Sequence, residues 1–102
     1  MSDTPPSPLK DFRKSIDNLD ATLVYVLAER FRLTKRVGEF KRDNGLPSSD
    51  KTREEQQIAR LKALAIEADL DPEFAERFIR FVIDEVIRHH EHIKTEPRRE
   101  DN

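Results

Sequence analysis

The chain has no cysteine, so it holds no disulfide scaffold, no thiolate zinc site and no cysteine nucleophile. It has only two glycines in 102 residues. That leaves no glycine-rich phosphate loop, and a sheet protein of this size would need more turn glycines. No apolar run approaches the roughly 18 residues of a membrane span. Neither charge sign dominates: 19 Lys and Arg face 21 Asp and Glu, for a formal net charge of −2. Bulk composition therefore carries neither a nucleic-acid footprint nor the field of a membrane-surface protein. The N-terminal stretch is polar and proline-rich rather than charged and then apolar, so it reads as a tail and not a secretion signal. The expectation is a cytoplasmic chain. Charged residues make up 39% of it, yet Leu, Ile, Val and Phe supply about a quarter, enough for one folded domain.

The helix breakers gather at Pro5 to Pro8, Asn44 to Pro47, Asp71-Pro72 and Pro97. Three uninterrupted segments lie between them, which predicts an all-α domain of three helices over 9–94, flanked by tails at 1–8 and 95–102. The first helix is expected from about Leu9 to Asp43. Its apolar residues Leu9, Phe12, Ile16, Leu19, Leu23, Val26, Leu33, Val37 and Phe40 form a seam of period 3.5. Such a helix is about 52 Å long, whereas a compact monomer of this length is only about 33 Å across. The stripe outruns the cover its own chain can give, so a second copy of the chain is expected to cover it. Ser48, Ser49 and Asp50 are all good N-cap types for a second helix reaching about Ala68. Asp71 and Pro72 pair as N-cap and first residue of the third. Its apolar set of Phe74, Phe78, Phe81, Val82, Ile83, Val86, Ile87 and Ile93 makes a broad face suited to a bundle.

Polar residues at seam positions point to function. Arg30 fills the place in the first seam between Val26 and Leu33, where a cation is costly unless it is paired or kept for an anion. A buried salt bridge is the plain alternative. Lys41 shares its face about 16 Å along the axis, and two long cations so placed converge on one compact anion. Taken alone, Lys41 reads more readily as a solvated lysine at a helix C-terminus. Arg13 lies about 25 Å before Arg30 and roughly 100° around the helix, too far to serve the same small ligand from one chain. In an antiparallel dimer it serves the other subunit's ligand. Glu54 falls one turn before Ile58 on the inward face of the second helix, with Arg53 beside it, although both also fit ordinary first-turn charges. His89, His90 and His92 splay over too wide an arc for a metal site, and only His90 borders the apolar face.

The ordered set Leu9-x-x-x-Arg13-x-x-Ile16-Asp17-x-Leu19-Asp20, Leu27-Ala28-Glu29-Arg30, Val37-Gly38-x-x-Lys41 and Asp50-x-x-Arg53-Glu54 resembles the all-helical chorismate mutases. The likeness spans about residues 9–93. It implies an intertwined antiparallel homodimer of three-helix chains, each site completed by one arginine from the other subunit. It further implies conversion of chorismate to prephenate, by a [3,3] rearrangement, on the route to Phe and Tyr, with no cofactor and no metal. By that likeness Arg30 and the partner's Arg13 hold the two substrate carboxylates, assisted by Arg53. Lys41 donates to the ether oxygen, while the Asp50 main chain and Glu54 bind the ring hydroxyl. Where the family places a Gln as second donor to the ether oxygen this chain has His90, and where it places a small hydroxyl residue the chain has Val86. A lyase of the same fold acting on isochorismate, and a non-catalytic helical dimerisation module, are the alternatives.

Overall fold

A computed structural model describes residues 7–96, and within them every regular element is helical. The elements are α1 (Pro8–Asp43), α2 (Lys51–Glu67) and α3 (Pro72–Thr95). α1 begins at Pro8, one residue inside the stretch expected to be tail, because proline suits the first helical position, where its missing N–H costs nothing. Thr95, expected to open the C-terminal tail, is instead the last residue of α3, and most of both tails lies outside the described residues.

Local chemistry sets the helix ends. α1 stops where Gly45 takes φ 65°, with Leu46 N–H donating to Lys41 O at 2.8 Å and Gly45 N–H to Arg42 O at 3.3 Å. This is a Schellman closure with glycine at its left-handed position. α2 closes the same way, with Leu70 N–H on Ala65 O at 2.8 Å and Asp69 N–H on Ile66 O at 3.2 Å. There the left-handed position is taken by Asp69, at φ 56°. Asp50 caps α2 by accepting from Arg53 N–H at 3.1 Å, and Asp71 caps α3 by accepting from Glu73 N–H at 3.0 Å.

The residues group into two bodies, divided after Leu33 within α1. The first is the leading part of α1. Its apolar stripe is open: Phe12 is 64% and Leu19 67% exposed, and Leu9, Ile16, Leu23 and Val26 are exposed beside them. Glu29 and Arg32 pair on its surface at 2.7 Å.

The second body runs from Thr34 through α3 and holds the core. α2 and α3 pack together through Ile58 and Ala65 on one side and Ala75, Ile79, Val82 and Ile83 on the other, all buried. The expected α3 face is inside in large part, with Val82, Ile83 and Ile93 buried. Phe74 and Phe81, counted with the core, are exposed, Phe81 at 68%, whereas Ala75 and Ile79 are inside. A face eight residues broad fixes a helix's buried side only to within a turn, and small Ala65 and Ala75 let the helices approach more closely than Phe would. Glu76 on α3 accepts from Lys62 on α2 at 3.0 Å and from Arg80 at 2.8 Å, tying the outer edge of the pair.

Candidate active site

The start of α2 forms the first cluster. Glu54 is half-buried, and its Oε2 accepts from Ser49 Oγ at 2.7 Å and from Asp50 N–H at 3.2 Å. Lys51 Nζ stands 3.7 Å from Oε1. Asp50 N–H is thus engaged by the Glu54 carboxylate itself, whose remaining lone pairs stay available as acceptors. A negatively charged side chain in the first turn also interacts favourably with the helix dipole. In the sequence Ser49 is one of three residues of good N-cap type. Its hydroxyl instead orients Glu54, a contact five residues apart that helical spacing does not flag. Arg53 is exposed, one turn along from Asp50.

The second cluster surrounds His90, which is only 3% exposed and so lies inside the core face rather than at its border. Its Nε2 donates to the main-chain carbonyl of Thr34 at 2.9 Å. Gly38, also buried, lies against the ring, one turn after Thr34 and three residues before half-buried Lys41. Val86, one turn before His90, is half-buried and brings no hydrogen-bonding group. The other two histidines turn to the surface, His89 towards Glu85 at 3.7 Å and His92 towards Glu96 at 3.4 Å. Among the described residues no group of three His, Asp or Glu is placed to hold a metal ion.

Gly38 was the residue whose importance the sequence signalled most quietly. A glycine inside a helix costs roughly 0.5–1 kcal/mol against alanine, so one inside α1, five residues before its end, is consistent with a close approach by another element.

Arg13 and Arg30 belong to the first body. Arg13 is exposed among Leu9, Lys10, Asp11, Lys14 and Asp17, whose side chains line a shallow cleft with it. Arg30 is half-buried. Seventeen residues of helix put the two about 25 Å apart along the axis, as the spacing requires.

Residues 12–91 match the family described as chorismate mutase type II. The chain belongs to that family. It is 41% identical over 76 residues to a T-protein of Haemophilus influenzae, an alignment that takes in 71% of this chain and 20% of that protein. It is 32% identical over 76 residues to a chorismate mutase of Methanocaldococcus jannaschii, covering 74% of this chain and 77% of the other. A bifunctional chorismate mutase/prephenate dehydratase of Buchnera aphidicola is 30% identical over 79 residues, 78% of this chain and 20% of that protein. The chain thus spans about a fifth of the two longer relatives and about three quarters of the archaeal one. Membership accounts for the all-helical architecture. Within the described residues no helix is long and apolar enough to cross a membrane.

Proposed function

We propose that this protein is a cytoplasmic chorismate mutase that converts chorismate to prephenate as a homodimer. The observation that carries the reading is that Arg13, Arg30, Lys41 and Arg53 all fall inside the family match over residues 12–91, at the spacings by which the sequence resembles the family. A dianionic substrate calls for several fixed cations, and these are they.

Arg30 and Arg13 of the partner subunit hold the two carboxylates, with Arg53 assisting at one of them. Glu54 accepts from the ring hydroxyl while Asp50 N–H donates to it. The two groups bond to each other at 3.2 Å in the free chain, so the hydroxyl inserts between them and takes over the Asp50 donor. Lys41 donates to the ether oxygen, and His90 takes the place of the family's Gln as second donor. Val86 contributes shape but no hydrogen bond, so one substrate carboxylate has one partner fewer.

The rearrangement is pericyclic. The ether C–O bond breaks as the new C–C bond forms, with no nucleophile, base or redox partner. Rate enhancement has two sources. Holding the folded, reactive conformer removes much of the entropic barrier. Fixed positive charge at the ether oxygen, where negative charge develops, stabilises the transition state more than the ground state. The open stripe of the leading part of α1, from Leu9 to Val26, supports the dimer: a soluble chain gains by covering such a face.

Following chorismate loss by ultraviolet absorbance, with the product identified, tests the reading. Prephenate is the expected product. Turnover of isochorismate with release of pyruvate, and none of chorismate, would move the protein to the lyase reading.

A further inference from the structure

A main-chain carbonyl only accepts hydrogen bonds, so the 2.9 Å contact of His90 Nε2 with Thr34 O puts a proton on Nε2. A neutral imidazole carries one proton, which leaves Nδ1 bare. Nδ1 is buried and has no hydrogen-bond partner among the described residues. Gly38 controls how the ring sits. A Cβ built there would stand 2.5 Å from Cδ2 and 3.0 Å from Nε2 of His90, and 3.0 Å from Cδ1 of Ile93. The two imidazole atoms among them, with Cδ2 the nearest, belong to a ring held by its bond to Thr34 O, so a methyl group at position 38 displaces the ring from Thr34. The bare helix backbone at Gly38 and the carbonyl one turn before it therefore form a two-point seat for the imidazole.

We infer that Gly38 and the Thr34 carbonyl are positioning groups that hold His90 as the Nε2–H tautomer and leave Nδ1 as the ring nitrogen free to meet bound substrate. The inference rests on the reading of His90 as a substrate contact and specifies how that contact is made. An amide side chain donates whatever its surroundings. His90 in this seat presents a lone pair when neutral and a charge-assisted donor only as the imidazolium. Position 90 thereby acts through Nδ1 alone, and its geometry is set from α1 rather than from α3.

Long-range proton–nitrogen correlation spectra of the histidine-labelled full chain test the seat without any variant. His90→Gln identifies the His90 signals by their loss. The expected pattern for neutral His90 is a protonated Nε2 and a bare Nδ1. A protonated Nδ1 would overturn the inference, whatever the kinetics of His90 variants show.

The second arm is a double-mutant cycle. Gly38→Ala should shift the His90 signals and lower kcat by about ten- to a hundredfold, the scale of a small misplacement. In the His90→Gln background the same change should cost less than about threefold, because a flexible amide does not need the seat. Equal losses in both backgrounds would show that Gly38 does not act through His90. If His90→Ala leaves kcat unchanged, it is the parent reading that fails, while the tautomer result still decides the seat.

Discussion

Lys62 Nζ on α2 lies 3.0 Å from the carboxylate of Glu76 on α3, and Arg80 holds the same carboxylate from one turn further along. The hydrogen bond from Lys62 first, and that from Arg80 second, hold the Glu76 carboxyl below its ordinary value of 4.5. A carboxyl with a lowered folded pKa adds stability above its unfolded pKa and loses it as pH falls through the folded value. Denaturant unfolding should therefore show Glu76→Gln less stable than the parent at neutral pH, with the gap closing under acid conditions. A gap that persists unchanged once the carboxyl is protonated would mean that packing, not charge, holds this edge.

Asp69 occupies the left-handed position that closes α2, where a Cβ is unfavourable. Asp69→Gly should stabilise the protein by up to about 1 kcal/mol, the relief of the left-handed backbone less the added freedom of the unfolded chain. The denaturation midpoint at unchanged slope reads this directly, and a fall in midpoint would show that the aspartate is doing something other than closing the helix.

Arg30→Ala and Lys41→Ala should each lose at least about a hundredfold in kcat/KM, the usual cost of removing one preorganised charged donor. If Lys41 donates to the ether oxygen as proposed, the loss should fall mainly on kcat, because such a bond strengthens as the C–O bond breaks. A change confined to KM would place Lys41 in ground-state binding alone.

Mixing inactive Arg13→Ala chains with inactive Arg30→Ala chains should restore activity. One mixed dimer regenerates one intact site when Arg13 works across the interface. No recovery, with subunit exchange verified, would remove Arg13 from the partner's site.

Light scattering across micromolar dilution should find a dimer, since an obligate dimer often has no folded monomer to release. A stable folded monomer would sink the shared site along with the assembly. Arg30→Leu separates catalysis from assembly: a seam-fitting leucine should abolish turnover, whereas in a mere dimerisation module it would only tighten association.

At position 90 the two substitutions should diverge. His90→Gln should keep substantial turnover because the amide still donates, while His90→Ala should be severely impaired. A loss of only a few-fold in His90→Ala would leave the histidine as a packing residue.

Local chemistry written in consecutive residues was legible without coordinates. Asp50 and Asp71 with Pro72 start their helices, and the Asn44-Gly45 stretch ends α1, because capping and turn formation involve atoms a few residues apart. The length of α1 and its period-3.5 stripe likewise announced an apolar surface that its own leading body leaves open. Tertiary structure alone decided the rest. His90 meets Thr34 across 56 residues of sequence, and no helical period relates two positions on different helices. The place of Gly38 depends on which ring comes to rest against it, and the turning-out of Phe74 and Phe81 on how closely Ala65 and Ala75 allow α2 and α3 to approach. Hydrogen bonding along one helix is fixed by its own residues. The rotation of that helix against its neighbour is fixed only when both side-chain surfaces compete for the same volume.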